Sequence, residues 1–284
     1  MFSHNSSATF CILYNKTLYS ILNFDSDRRQ ITLDMNPIKT YVINLAKSIA
    51  RKEYMQELLK TYQYINPFFI EAVDGRVFSP EEREAVFDDE ISYKRYGRII
   101  NGGEVGCTLS HFKCYNKLAK SNDKFVLILE DDITIIRNLN ELDWGRITEF
   151  MSVDEPRVMF LSGDYWYWDK KPITRVFCAV GSYAYFVNRA AAQIIVRINK
   201  PSNVADDWDV YKQLGVELFA VHPYMIDANI TDIPSEIQQD YWGNHKDKMS
   251  LRYIFRAFYI GLIKRYLGHK GNFESKVRME SYGK

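Results

Sequence analysis

The sequence predicts an α/β protein built on a mostly parallel sheet with some antiparallel pairing. Three observations predict it. Apolar runs of strand length alternate with segments of helical period over residues 35–245. One run, Phe125-Val126-Leu127-Ile128-Leu129, shows no polar alternation, as expected of a strand covered on both faces. Glu130-Asp131-Asp132 stands directly behind it, at the carboxyl end of that strand, where α/β sheets form their ligand crevice.

The elements follow in order. Tyr41-Val42-Ile43-Asn44-Leu45 reads as a strand, and Ser48 to Tyr62 as a helix with Ile49, Tyr54, Met55, Leu58 and Leu59 on its apolar face. Asn66-Pro67 is expected to break that helix before a strand over Phe68 to Val73, which ends at the Asp74-Gly75 turn. Ser79-Pro80-Glu81-Glu82 carries the start signals of a helix: a serine cap, a first-turn proline and a Ser-x-x-Glu capping box. A helix from about Glu104 to Lys120 leads into the Phe125 strand, and Arg157 to Leu161 is the next strand. Thr174–Ala179 and Ser182–Val187 are β-rich and separated by Gly181; a helix from Arg189 runs towards Ile198 until Pro201 stops it, and Glu217–Val221 closes the pattern.

Composition bounds the rest. A chain of 284 residues with 46% hydrophobic content can bury one large core, with room for a small appendage. Lys and Arg total 37 against 36 Asp and Glu, which supplies no global footprint for nucleic acid or another bulk polyanion. The four cysteines, at 11, 107, 114 and 178, form no Cys-x-x-Cys pair, which suits free thiols in a reducing, cytoplasmic setting. No stretch approaches the ~20 apolar residues of a membrane span, and Ala8 to Leu22 lacks the basic flank and cleavage site of a secretory signal. We divide the chain into an irregular extension over 1–34, the α/β domain over 35–245 and a basic amphipathic tail over 246–284, with Met1 and Met35 both open as starts.

Carboxylates behind a buried strand suit a hard divalent cation, and they also suit a solvated turn. The motifs around them are more specific. In this order and spacing, Val42-Ile43-Asn44-Leu45 with Arg51, Phe69 through Asp74-Gly75, Gly103-Glu104-Val105-Gly106-Cys107-Thr108-Leu109-Ser110-His111, and Leu129-Glu130-Asp131-Asp132 resemble glycosyltransferase family 25. Gly181-Ser182-Tyr183-Ala184-Tyr185 and Asp206-Asp207-Trp208 extend the resemblance, which runs from about residue 39 to 225. That family comprises lipooligosaccharide glycosyltransferases of Gram-negative bacteria and collagen galactosyltransferases. The resemblance implies a GT-A fold, a nucleotide-sugar donor and inversion at the anomeric carbon.

On the resemblance, Glu130 and Asp132 would hold Mn²⁺ or Mg²⁺, with Asp131 beside the nucleotide and His222 or His245 as a supporting ligand. A cation there would neutralise the departing diphosphate. Asn44, Arg51 and Asp74 would line the nucleotide pocket, and Glu104, Ser110 and His111 its donor-side wall. An inverting transfer also needs a base on the opposite side, for which Asp206 ranks first and Asp207 second; helix capping is the alternative for either. Cys107, His111 and Cys114 recur at helical spacing, but three ligands without a fourth do not make a zinc site. Tyr165-Trp166-Tyr167-Trp168 reads equally as an aromatic loop over an acceptor sugar or as β-packing. The donor expected is UDP-galactose, with UDP-glucose as the alternative, and the acceptor a lipooligosaccharide.

Leu251, Ile254, Phe255, Phe258, Leu262 and Tyr266 form an apolar stripe, with Arg252, Arg256, Lys264, Arg265 and Lys270 around it. Such a helix over 250–270 could lie on an anionic inner-membrane surface, dock on the protein core, or join a homodimer.

Overall fold

The computed structural model describes residues 36–228 and 249–274. Residues 1–34, Met35 and His245, to which the sequence reading assigned roles, lie outside the described residues. The chain opens with β1 (Ile38–Asn44), α1 (Ile49–Leu59) and β2 (Ile65–Glu71). Two short helices, α2 (Pro80–Val86) and α3 (Asp89–Tyr96), precede the long α4 (Gly102–Ala119). Then come β3 (Phe125–Glu130), β4 (Ile133–Ile135), α5 (Trp144–Met151), β5 (Arg157–Phe160), β6 (Tyr165–Tyr167), β7 (Ile173–Ala179) and β8 (Ala184–Asn188). The remainder is α6 (Arg189–Ile195), α7 (Trp208–Gln213), β9 (Glu217–Val221), β10 (Ile226–Ala228), α8 (Leu251–His269) and β11 (Phe273–Glu274).

Nine strands form one sheet in the order β11-β6-β7-β9-β5-β8-β3-β1-β2, and β4 pairs with β10 separately. Six of the nine, namely β2, β1, β3, β5, β9 and β6, run in one direction, and β8, β7 and β11 run against them. The carboxyl ends of β1, β2, β3, β5 and β9 therefore share one edge, together with the loop that enters β8. That edge gathers most of the sequence motifs.

The core lies on both faces of the sheet and shows why β3 carries no polar alternation. Val126 and Ile128 pack with α4, α6 and α7 through Phe112, Tyr115, Ala192 and Trp208, whereas Leu127 and Leu129 pack with α1 and α5 through Met55, Leu59, Trp144 and Met151. All four β3 residues are fully buried, worth ~1.5–3 kcal/mol each. Successive side chains point to opposite faces, so one strand needs two apolar partners.

Two differences from the sequence reading, and one choice it left open, have local causes. Asn66 and Pro67 do not separate a helix from a strand; they lie inside β2, exposed, with Pro67 beside Thr40 of β1. β2 is an edge strand, and an edge tolerates a residue with no N–H. Of the two readings open for Tyr165-Trp166-Tyr167, β-packing is the one found: Tyr165 and Tyr167 are buried, the Tyr165 hydroxyl donates to Val221 O at 2.9 Å, and Trp166 stacks on Phe273. The short helices α3 and α5 were not expected, because each is only eight residues long and α3 buries no apolar side chain.

The Ser79 capping box forms as expected. A second one, Asn101 with Glu104, starts α4. The first turns of α4 meet the Asp74-Gly75 turn backbone to backbone: a Cβ on Gly106 would stand 2.4 Å from Val73 O and 2.7 Å from Gly75 N. Ser110 seals the contact, accepting from Val73 N at 2.8 Å and donating to Gly106 O at 2.6 Å. Gly106→Ala is expected to destabilise the protein by about 2 kcal/mol or more, because backbone on both sides leaves the methyl no room. Urea unfolding of the two proteins measures it.

Candidate active site

The acidic triplet follows the alternation of the strand it ends. Glu130 continues the face of Val126 and Ile128, towards α4; Asp131 continues the face of Leu127 and Leu129, towards α1. Each side supplies a partner set. On the α4 side, Glu130 Oε1 accepts from Ser182 Oγ at 2.9 Å and faces His111 Nε2 at 3.3 Å. A carboxylate only accepts, so Nε2 donates to it, while Nδ1 shares a hydrogen bond with the Tyr185 hydroxyl at 2.8 Å and Tyr115 completes the chain at 2.6 Å. Burial pushes the Glu130 carboxyl up, but His111, Ser182 and Arg51 together bring it below its ordinary value.

On the α1 side, Asp131 accepts from Asn44 Nδ2 at 2.7 Å and from Arg51 Nη1 at 2.9 Å, and all three residues are buried. Burial leaves its carboxyl above the ordinary value even so. Asp132, where the chain turns, shares Arg51 Nη1 at 3.2 Å. Burial and then the neighbouring Glu130 charge push its carboxyl up to about 6. Three carboxylates are thus crowded against one arginine, and Asp132 is the least compensated.

These groups line a cleft that opens to solvent at the carboxyl edge of the sheet. Arg51, Asp74, Ser110, His111, Glu130, Asp131 and Asp132 all contribute to its wall. Asn44 does not; it acts on the cleft through Asp131. Asp74 sits at the rim in ion pairs with Arg76 (2.7 Å) and Lys47 (2.9 Å), which hold its carboxyl well below the carboxylate range. Arg76, Gly103 and Cys107 also belong to the wall, and Ser182 positions Glu130; Gly103 and Ser182 stood in the motifs without a role, Cys107 there and as a rejected zinc ligand, and Arg76 not at all.

Two residues assigned to the site do other work. Glu104 is no part of the cleft wall: its carboxylate closes the capping box on Asn101 N and takes Arg98 Nη1 at 2.7 Å. Asp207, the second-ranked base, is held by Arg95 Nη2 at 2.9 Å and the Tyr96 hydroxyl at 2.6 Å, which ties α3 to the start of α7. Nor does His222 approach the triplet. It pairs with Glu274 of β11 at 3.2 Å and lines a separate cavity with Arg137 and Met225.

Asp206 lies outside the cleft wall but next to it. Its carboxylate accepts from Gly181 N at 3.2 Å, and Gly181 O in turn accepts from the Trp208 indole at 2.9 Å. Gly181 has φ +83°, and a Cβ there would stand 2.6 Å from the Tyr183 ring, so only glycine can make both contacts. Burial, then the charges of Asp207 and Glu130, raise the Asp206 carboxyl. The same burial raises the Cys107 thiol, which feels Glu130, Asp206 and Asp132 together.

Cys107, His111 and Glu130 also bring one ligand atom each within 4.8 Å of one another. Cys114 is not among them; it is fully buried in the core facing the sheet. His111 and Ser182 both engage Glu130 Oε1, so the second oxygen of Glu130 and the carboxylate of Asp132 are the less compensated acceptors, a donor set that suits a hard cation.

A family model described as glycosyltransferase family 25 (LPS biosynthesis protein) matches residues 37–208. A protein of Acanthamoeba polyphaga mimivirus named as a glycosyltransferase is 26% identical over 234 residues, covering 73% of this chain and 69% of its own. Procollagen galactosyltransferase 1 of Danio rerio is 28% identical over 155 residues, covering 46% of this chain and 26% of its own. The chain thus spans only about a quarter of that relative. Among solved structures, the glycosyltransferase GlyE of Streptococcus pneumoniae aligns over 85% of this chain and 66% of its own, at 10% identity and a TM-score of 0.38.

The two neighbouring aspartates are expected to behave differently in chemical denaturation. Asp207→Ala strips Arg95 of its two-point partner, leaving it only the longer contact to Asp209 at 3.7 Å, and loses about 2–3 kcal/mol. Asp206→Asn keeps the Gly181 contact, removes a crowded charge, and stays within about 1 kcal/mol of the parent.

Proposed function

The chain belongs to glycosyltransferase family 25, and from that premise we propose that it is an inverting GT-A hexosyltransferase. It moves galactose, or glucose as the alternative, from a UDP-sugar to a hydroxyl of a lipooligosaccharide or lipopolysaccharide acceptor. The observation that carries the reading is the convergence of Asp74, Arg51, Ser110, His111 and the acidic triplet on one cleft at the carboxyl edge of the sheet. The names of the procollagen galactosyltransferases favour galactose, and the printed description of the family favours the lipopolysaccharide acceptor.

The donor set fits a divalent cation. Asp132 and Glu130 would hold Mn²⁺ or Mg²⁺, with Asp131 kept in place by Asn44 and Arg51 as a positioning residue. When bound, such an ion neutralises charge on the leaving diphosphate. The chain's own residues do the rest. Arg51 and the rim cations Arg76 and Lys47 add positive charge near the diphosphate end. His111 orients Glu130. Asp206 takes the proton of the acceptor hydroxyl as that oxygen bonds to the anomeric carbon and the bond from that carbon to the UDP oxygen breaks. A raised carboxyl pKa suits a base that must hold a proton after transfer.

Transfer and hydrolysis of UDP-galactose and UDP-glucose, with lipooligosaccharide or procollagen peptides as acceptor, are to be measured with Mn²⁺, Mg²⁺ and EDTA. Undiminished transfer in EDTA and by Asp132→Ala would sink the metal reading, and transfer to the peptide alone would replace the acceptor. Asp206→Asn is expected to lower kcat about a hundredfold or more while donor KM stays within about threefold. Cation affinity has a sign that follows from Asp132. Its carboxylate binds the ion and a proton competes below a pKa of about 6, so Mn²⁺ should bind about tenfold more weakly near pH 5 than near pH 7.5. Titration calorimetry at the two pH values reads this, and pH-independent binding would move the ion away from Asp132.

A further inference from the structure

α8 is the longest helix among the described residues, 19 residues from Leu251 to His269, or about 28 Å. One side of it is tied to the body. Ser250 N donates to Lys94 O at 2.9 Å; Tyr253 lies under the Arg95 guanidinium at 5.1 Å; Arg256 makes a two-point ion pair with Asp209. Further along, Lys264 stands 4.1 Å over the Trp166 ring, Leu267 is 1% exposed, and β11 then adds to the sheet edge beside β6. At 100° per residue these anchors occupy one arc of the helix.

The apolar stripe lies on the other arc. Leu251 (71%), Phe255 (70%), Phe258 (65%), Tyr259 (55%), Tyr266 (50%), Leu262 (49%) and Ile254 (45%) are all exposed. They fall within about 140° of the helix circumference. Of the three expectations, docking of the stripe on the core is not met: Tyr259 alone touches the body, edge-on to Phe177, and mainly polar and cationic residues hold the helix down while the rest of its hydrophobic face looks out. Seven large apolar residues in one patch are more than a surface carries by chance. The segment is too short of continuous apolarity to cross a bilayer.

Charge chooses the occupant. Between Asp247 and Glu274 there is no acidic residue, while Arg252, Arg256, Lys264, Arg265 and Lys270 bring five positive charges to a chain whose net charge is only +1. Arg252, Arg265 and Lys270 are exposed on or beside the stripe. A second copy laid stripe to stripe would set these cations against themselves, whereas an anionic lipid surface takes both the cations and the apolar side chains. Tyr259 and Tyr266 have the amphipathic ring that suits the headgroup boundary.

We propose that the outward face of α8 docks this protein on anionic membrane surfaces, with the helix lying in the interface plane. The inference stands apart from the transfer reaction and uses no residue of the cleft. Its consequence for that reaction is orientation. Asp209, the anchor of Arg256, belongs to α7, whose preceding turn carries Asp206, so docking brings the Asp206 side of the site towards the surface.

The test is flotation of the full chain with vesicles of phosphatidylcholine alone and of phosphatidylcholine mixed with phosphatidylglycerol, at low and high salt. The parent should float with the mixed vesicles, weakly with the neutral ones, and less at high salt. The triple variant Phe255→Gln/Phe258→Gln/Leu262→Gln should bind mixed vesicles on the order of tenfold more weakly or worse, with unchanged far-UV dichroism and unchanged UDP-sugar hydrolysis in solution. Arg252→Glu/Arg265→Glu should lose the preference for anionic lipid. Parent protein that stays with the pellet, or a triple variant that floats like the parent, overturns the proposal. So does light scattering that finds a lipid-free dimer broken by the triple variant, which would assign the stripe to a second copy. Hydrolysis measured without vesicles keeps a failure here separate from a failure of the transferase reading.

Discussion

The buried carboxylate of Asp131 is the constraint on which the rest of the site depends. A carboxylate taken out of water is tolerated only when its oxygens are occupied, and here Asn44 from the end of β1 and Arg51 from α1 occupy them. One side chain thereby joins two neighbouring strands to the helix that covers them. Its orientation also dictates that of its neighbours. With Asp131 committed to the α1 face, Glu130 must face α4, where His111 and Ser182 receive it, and Asp132 is left at the turn with a share of Arg51. Removing one partner from such a group usually costs about 3–5 kcal/mol, so the triplet is structural and chemical at once.

Two backbone contacts give this arrangement its neighbours. The Asp74-Gly75 turn lies against the first turns of α4 so closely that neither glycine has space for a Cβ, which puts Asp74 beside the helix that carries Cys107, Ser110 and His111. Gly181 does the same on the other side, joining the loop before β8 to Asp206 and Trp208 through both its N–H and its carbonyl. Close approach of main chain to main chain is stiff, since no rotamer can adjust to relieve it. The glycines of the sequence motifs are thus spacers that determine how far apart the acidic groups stand.

The C-terminal helix inverts the usual economy of an amphipathic segment. Arg256 and Lys264 face the body, where Asp209 and the Trp166 ring meet them, and the phenylalanines face outward. Long cationic side chains can serve this way because their stems cover apolar surface while their heads reach a fixed acceptor. A pattern drawn from the sequence locates the stripe but not its direction, since either arc of a helix can be turned towards a core.

Local chemistry was readable from the residues themselves. The Phe125–Leu129 strand, the Ser79 capping box, the Asp74-Gly75 turn and the helix that begins near Glu104 all follow from short-range periodicity and capping, which depend on neighbours in the chain. The acidic triplet and its companion motifs were legible for the same reason. Partner choice was not. Nothing within a few residues of Asp207 says that Arg95, more than a hundred positions away, will claim it, nor that Glu104 will spend its carboxylate on Arg98 and a helix start rather than on the cleft. Asn66-Pro67 was misread because a proline's tolerance depends on whether its strand is an edge, and that is a property of the sheet. The sequence by itself determined which side chains were available and how each element begins; only the tertiary structure decided which carboxylates were neutralised and which were left facing the cleft, because pairing energies are settled by contacts between elements distant in the chain.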